Sequence, residues 1–441
     1  VRPKTFRGGI HPQYGKEMTC HLGIETLPAP EQVVLPMAQH AGAPAEPLVK
    51  AGDTVDLGQK IGEAKGFVSV PVHASISGKV LSVGPVSLPN GNVSVAVTIE
   101  NDGEDRVFPE LKAPGDYRQL TPERLRELMR EAGLAGMGGA SFPTHVKYNP
   151  PEGKRIDTVV LNGAECEPFL TCDHRLMVED AEKVVTGLKA LMRAGGAEKG
   201  IIAVEVNKAD AIKALEKAIA GDPQLSVAPL ATKYPQGEEK MIIRAALGRI
   251  VPSGGLPIDV GVVVNNVATA AAFADYLATG MPLISRVVTV TGRGVKQPKN
   301  LLVRLGTPIQ KLLEACGGFA EEPGKVIVGG PMTGPAVYHL DFPVVKGTSG
   351  ILVQSRAEVA GGESMACIRC GRCVKVCPYS LLPNFLAEFA EQGNLDQAEA
   401  YGIMDCRECG CCTFVCPSRR PLMQLIRNAK GKILARRRKS G

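Results

Sequence analysis

The 441-residue chain has no tryptophan, only 4% aromatic residues and little charge imbalance, with 51 Lys and Arg against 45 Asp and Glu. It also lacks a long apolar run. The longest uncharged apolar stretch, Val260 to Ala274, is broken by Asn265, Asn266 and Thr269 and is shorter than the roughly 20 residues that a spanning helix needs. Val1 to Gly9 carries basic residues but no apolar segment follows, so no secretory leader is read there and the chain is expected in the cytoplasm. What is abundant is turn-forming residue, 50 Gly and 33 Pro, within a composition that is 44% hydrophobic. Disorder and a fibrous repeat are both excluded. The length predicts about three or four folded units, each able to bury its own core.

Thirteen cysteines in a reducing compartment call for a ligand rather than disulfides. Eight of them form two copies of one pattern, CxxCxxCxxxCP: Cys367, Cys370, Cys373 and Cys377 before Pro378, then Cys406, Cys409, Cys412 and Cys416 before Pro417. Two-residue gaps let a tight loop aim three thiolates at one centre, while the fourth, expected at a helix start, faces away and serves the other. This is the spacing of two-cluster ferredoxins, in which the fourth Cys ligates the partner [4Fe–4S] centre. One cluster is therefore expected on Cys367, Cys370, Cys373 and Cys416, the other on Cys406, Cys409, Cys412 and Cys377. Zinc also takes four thiolates but rarely in this doubled pattern. Cys411, Cys20, Cys166, Cys172 and Cys316 read as packed thiols. Pro383 to Asp405 reads as a spacer of one or two helices. The closing run of Arg427, Lys430, Lys432, Arg436, Arg437, Arg438 and Lys439 has no acidic residue among it. It reads as a frayed, solvated tail or as a contact for anionic lipid or an acidic partner.

A helix is signalled from Thr121 as N-cap and Pro122 to a stop at Gly133. Gly133 to Lys147 then holds four glycines within seven residues, Gly133, Gly136, Gly138 and Gly139, which lets backbone approach a phosphate or a flat ring. The dinucleotide fingerprint GxGxxG is not met, because a helix precedes the loop and Ser141 takes the place of the third glycine. From residue 155 strands and helices alternate: a strand at Val159–Leu161, helical spacing over Leu176–Met192, a strand at 200–206 and a helix at 209–220. In such α/β sheets ligands sit beyond the carboxyl ends of the strands. Polar turn residues follow there: Asn162 to Pro168, Tyr234 to Glu239, and Asn265 to Thr269.

The order of these loops resembles the FMN- and NADH-binding subunit of respiratory complex I, with its GGAxFPT loop, Asn-to-Glu-Pro loop, Tyr-x-x-Gly-Glu-Glu turn and Asn-Asn pair. The closer resemblance, over essentially the whole chain, is to the C subunits of the Rnf complex (RnfC), because Phe6-Arg-Gly-Gly-Ile-His-Pro12 and both cysteine runs are also present. Met137 and Ala164 stand where the complex I family has Arg and Asp, so those two contacts are not carried over. The resemblance implies that Gly136, Gly138 and Gly139 line an FMN and NADH cradle and that Lys147 faces phosphate. It implies further that Asn162, Tyr234, Gly237, Asn265 and Asn266 hold FMN, and that Phe142 is placed to stack on a nucleotide ring. Glu165, Glu167, Glu238 and Glu239 lie beside the nicotinamide nucleotide, where a carboxylate near the ribose disfavours a 2′-phosphate and favours NAD(H). No catalytic side chain is expected, because cofactors carry the chemistry.

The expected architecture is multidomain α/β. Residues 1–115 form a unit that resembles a biotinyl/lipoyl-like barrel–sandwich hybrid, with Phe67 where a carrier lysine would stand, so a docking platform is read there. Residues 116–282 form the FMN/NADH α/β domain; 283–356 resemble an SLBB β-grasp domain; 357–430 form a helical two-[4Fe–4S] ferredoxin-type domain; 431–441 form the basic tail. The resemblance implies a peripheral subunit on the cytoplasmic face of the membrane, part of an ion-translocating ferredoxin:NAD oxidoreductase. Its implied partners are membrane-embedded subunits, a ferredoxin-like subunit and NAD(H), with no nucleic acid. The alternatives are a cobalamin reductase of microcompartments and a non-catalytic iron–sulfur relay with an empty nucleotide pocket.

Overall fold

The computed structural model describes residues 2–359 and 361–440. The side chains of Lys439 and Ser440 and all of Gly441 lie outside the described residues. Near the N-terminus two small antiparallel sheets face each other. One orders Gln32–Pro36, Val93–Asn101, Gly78–Ser87 and Thr54–Val55; the other orders Glu46–Pro47, Lys60–Glu63 and Val72–His73. Val33, Leu35, Ile61, Val72, Val80, Val97 and Ile99 fill the space between them, each essentially inaccessible to solvent.

The central unit is a four-stranded parallel sheet in the order Leu225–Leu230, Lys199–Glu205, Thr158–Gly163, Val262–Asn266. Parallel strands are covered on both faces, which is why they read as unbroken apolar runs. Val159 and Leu161 pack with Leu188 and Leu191 of helix Ala181–Gly195 and with Phe273 of helix Val267–Thr279. Val160 points the other way, into a cluster with Ile242 and Ile243 of helix Glu239–Leu247. From Thr158–Gly163 the chain builds outward through two strands on one side, then returns to place Val262–Asn266 on the other. That reversal makes a switch point, the place where a crevice opens beyond the strand ends. The helical pattern over Leu176–Met192 is met by two helices, Cys172–Glu179 and Ala181–Gly195, separated at Asp180.

A third, six-stranded sheet runs Ile24–Thr26, Lys299–Arg304, Ser285–Thr291, Gly350–Ser355, Pro323–Val328, Ala336–Val337. The helix Ile309–Ala315 lies in the chain between two of its strands, Lys299–Arg304 and Pro323–Val328. Its edge strand, Ile24–Thr26, comes from the N-terminal segment and pairs in parallel with Lys299–Arg304. The C-terminal unit is helical: Arg372–Val376, Pro383–Glu391, Leu395–Ala400, Cys411–Phe414 and the long Leu422–Ser440. Two expectations are corrected here. Cys377 and Cys416 each follow the end of a short helix rather than starting one. The basic run is not a frayed tail but the last turns of that 19-residue helix. Acidic residues distant in sequence meet it: Arg427 and Lys430 pair with Glu408, and Arg436 pairs with Asp396 and Glu399.

Lys346 ties three of these units together. Its buried ammonium group donates to Pro71 O at 2.9 Å and to Gly133 O at 2.7 Å, and burial pulls its pKa down from 10.5 to about 7. The folded value lies below the unfolded one, so between about pH 7 and 10 the unfolded chain binds more protons and stability rises with pH. Lys346→Met abolishes that contribution. The thermal midpoint of the unsubstituted chain is therefore expected to climb relative to that of the variant as pH goes from 7 to 10. A constant difference would refute this origin.

Candidate functional site

The crevice at the strand ends is built by side chains that tie its loops to one another. Asn162, at the end of the Thr158–Gly163 strand, donates to Gly237 O at 2.8 Å and accepts from Ala164 N at 3.1 Å. Asn266 ends the neighbouring strand and caps helix Val267–Thr279 by accepting from Ala268 N at 2.8 Å. Its amide nitrogen donates to Asp173 Oδ2 at 2.6 Å. A side chain on Gly138 would meet that same amide nitrogen at 3.2 Å. The glycine loop is closed by Gly136 N on Phe142 O at 2.9 Å and is held to the crevice by Met137 N on Thr269 Oγ1 at 3.0 Å. Asn265 is turned inward and donates to the Tyr148 hydroxyl. Gly139 has open space beside it, and Phe142, three residues on, is half-buried.

The charged candidates divide by task. Glu165 accepts from Asp173 N at 2.7 Å and His174 N at 3.2 Å, capping helix Cys172–Glu179. Glu167 accepts from Met332 N at 3.1 Å and Thr333 Oγ1 at 2.5 Å, fastening the loop to the six-stranded unit. Its burial raises its pKa. Glu238 caps helix Glu239–Leu247 through Lys240 N and Met241 N, both at 3.0 Å, and burial raises its pKa as well. Glu239 is more open and pairs with Lys147, whose ammonium group also donates to Val264 O at 2.8 Å. Lys147 is thus at the crevice, engaged by a carboxylate and a strand-end carbonyl.

Four further residues belong to this site and were not singled out from the sequence. Gln236 is wholly buried between Tyr234 and Gly237, and neither atom of its amide has a hydrogen-bond partner among the described residues. A buried orphan of this kind costs on the order of 1–3 kcal/mol unless something fills it. Its donor and acceptor suit the polar edge of a flat ring, and its place inside the Tyr-x-x-Gly-Glu-Glu turn was the available signal. Lys16 reaches across from the N-terminal segment to donate to the carbonyls of Glu165, Glu167 and Leu170 at 2.8, 2.9 and 2.5 Å. Lys208, paired with the equally buried Glu205 at 3.3 Å, holds Ala164 O at 2.6 Å. Asp173, beside Glu165, has its pKa pushed up to about 7 by burial and by that neighbouring carboxylate. No local sequence pattern announces the two lysines, because their partners are remote in the chain.

The eight patterned cysteines gather into two groups of four, each drawn from both runs. Cys367, Cys370, Cys373 and Cys416 line one pocket, with Arg369, Arg372, Asn384 and Arg420 around it. Cys377, Cys406, Cys409 and Cys412 form the other. Burial and the neighbouring thiols Cys406, Cys409 and Cys377 push Cys412 up to about 12, and burial drives Cys406 up to about 11. Four sulfurs converging on one point are the ligand set of an iron–sulfur cluster. The two runs repeat the same turns. Arg369 and Glu408 both have positive φ, as do Gly371 and Gly410, and Ser380 and Arg419. Arg369 N donates to Cys367 Sγ and Glu408 N to Cys406 Sγ, both at 3.4 Å.

The groups differ in setting. Cys367 and Cys370 are exposed, next to Ile368 at 68% and Met365 at 59% exposure. The second group abuts the crevice: Cys409 and Cys411 pack with Tyr234, Cys166 and Ile10. Arg407 lies 4.0 Å from Glu238, and Asp405 accepts from Ser253 Oγ at 2.6 Å.

Four family models match the chain in order: an RnfC barrel sandwich hybrid domain over residues 4–104, a Nuo51 FMN-binding domain over 129–275, an SLBB domain over 287–336 and a 4Fe-4S dicluster domain over 366–419. The chain is 51% identical over 439 residues to the C subunit of the Na(+)-translocating ferredoxin:NAD(+) oxidoreductase complex of Acetobacterium woodii, covering 100% of this chain and 99% of that one. It is 46% identical to the C subunit of the proton-translocating ferredoxin:NAD(+) oxidoreductase complex of Clostridium ljungdahlii, covering 97% and 94%. It is 43% identical to the C subunit of the ion-translocating oxidoreductase complex of Rhodobacter capsulatus, covering 98% and 84%.

Proposed function

The chain belongs to the family of C subunits of ion-translocating ferredoxin:NAD oxidoreductase complexes, and from that premise we propose that it exchanges electrons between NAD(H) and a one-electron chain through its own two sites. The observation that carries this reading is the contact between them: the Tyr234 loop of the crevice packs directly on Cys409 and Cys411. FMN supplies a centre that takes two electrons as hydride and gives them up singly, and the two [4Fe–4S] clusters each take one. Oxidising one NADH releases two electrons and a proton, so the count closes.

The protein's part is binding and placement. Gln236, Asn162 and the backbone at Gly237 would hold the ring. Gly136, Gly138 and Gly139, with the N-terminal end of helix Val267–Thr279, would receive phosphate. Phe142 and Glu239 stand at the mouth for the nicotinamide nucleotide, with the Glu239 carboxylate favouring NAD(H) over NADP(H). Cys377, Cys406, Cys409 and Cys412 would carry the cluster next to the crevice. Cys367, Cys370, Cys373 and Cys416 would carry the cluster at the surface, where exposed Ile368 and Met365 and the cations Arg369 and Arg372 offer a docking face to an acidic electron-carrying subunit. No helix among the described residues is long and apolar enough to cross a membrane. On this reading the ion pathway belongs to other subunits of the complex, and this one sits on the cytoplasmic face of the membrane.

Acid release from protein reconstituted with iron, sulfide and FMN is expected to yield flavin fluorescence. NADH is expected to bleach the flavin and the cluster absorbance together, with NADPH much slower. A chain that binds no flavin, yet accepts electrons from a reduced donor, would make it a relay instead.

A further inference from the structure

The segment Phe6 to Pro12 belongs to neither site, yet it runs between them. Gly9 N donates to Val376 O at 2.8 Å, one residue before Cys377. The next residue turns the other way: Ile10 N donates to Tyr234 O at 2.8 Å and accepts through its carbonyl from Tyr234 N at 2.9 Å. Lys233 clasps the segment from the crevice side, donating to Phe6 O at 2.5 Å and standing 4.1 Å over the Phe6 ring. Ile10 is buried in the same small cluster as Tyr234, Cys166 and Cys411. One strand of backbone thus bonds the cluster unit with one residue and the crevice loop with its neighbour.

Two glycines make that possible. Gly8 and Gly9 have φ of +87° and +79°, a region costly for any residue with a side chain. The space is as restrictive as the conformation. A Cβ on Gly9 would lie 2.7 Å from Tyr234 O, and one on Gly8 would lie 3.0 Å from both Val376 O and Cys377 O. Each of those atoms is backbone, so it cannot swing aside. Bringing the Gly9 contact out to ordinary van der Waals separation moves a partner by roughly 0.8 Å.

We infer that Gly8 and Gly9 form a spacer that sets the gap between the Tyr234 loop and the Cys377–Cys406–Cys409–Cys412 group, and with it the rate at which single electrons cross. The inference rests on the function proposed above. Tunnelling falls exponentially with separation, so a shift of this size slows the crossing severalfold. Gly8 and Gly9 are positioning residues, since neither touches substrate or the reacting atoms.

The test uses the full chain loaded with iron, sulfide and FMN, with Gly9→Ala, Gly8→Ala and, as a control, Gly221→Ala, whose φ is +83° with nothing within 4 Å. Stopped-flow absorbance follows flavin reduction and cluster reduction by NADH separately, and amide exchange is read at Gly9, Ile10 and Tyr234. The expected result is unchanged iron and flavin content and unchanged flavin reduction in all variants. Cluster reduction is severalfold slower in the Gly9 variant, with faster exchange at the joint, and the control matches the parent. Should Gly9→Ala not fold, Lys233→Gln loosens the same joint and is expected to slow the same step. Faster exchange at the joint with undiminished cluster reduction would overturn the inference. An unsubstituted protein that passes no electrons from NADH to its clusters would instead sink the functional reading, and the spacer with it.

Discussion

Cys377→Ser is expected to cost the protein about half of its iron and to stop NADH-driven reduction of any protein acceptor, while NADH still bleaches the flavin at the parent rate. The reason is the crossed grouping. Cys377 belongs by sequence to the first run but stands with Cys406, Cys409 and Cys412, the neighbouring thiols that act on Cys412. That group lies against Tyr234, so its loss cuts the route at the first step. Cys367→Ser removes a ligand of the exposed group instead and is expected to leave one NADH-reducible cluster signal. Electron paramagnetic resonance of the two NADH-reduced variants makes the distinction. If Cys377→Ser retained the NADH-reducible signal and Cys367→Ser lost it, the grouping would be reversed.

Lys16→Met is expected to destabilise the protein by about 3–5 kcal/mol, because it removes the buried ammonium group that three carbonyls share. Those carbonyls belong to Glu165, Glu167 and Leu170, so the damage falls on the loop that borders the crevice. Glu165 would lose its hold on helix Cys172–Glu179 and Glu167 its tie to Met332 and Thr333. Flavin retention through gel filtration is expected to fall with stability. A denaturation midpoint that implied under about 1 kcal/mol of loss, with flavin fully retained, would show that the loop holds its shape without this lysine.

The parts of the fold that were legible in the sequence are those specified locally. The parallel strands announce themselves because both faces are buried, so Val159, Val160 and Leu161 are all apolar. The cluster ligands announce themselves because a loop of fixed length has to aim three thiols at one point. The glycine loop and the Asn-Asn pair were legible as a turn-forming stretch and as polar residues at a strand end. Lys16, Lys208 and Lys346 were not legible, because each is defined by carbonyls far away in the chain and no pattern of neighbours marks a buried ammonium group. The strand Ile24–Thr26 is too short to show a period. The basic run at the C-terminus misled for the converse reason: it looks unopposed in sequence, yet Glu408, Asp396 and Glu399 are brought to it by the fold.

The repeated turns in the two cysteine runs carry a consequence for assembly. Each half lends its last thiol to the other, so neither half holds a complete cage by itself. Filling one cage draws both halves into register and shapes the vacancy that remains, which makes the second insertion easier than the first. Under limiting iron the population should therefore divide between empty and doubly filled chains, and a cell short of metal would hold fewer working copies rather than many half-wired ones.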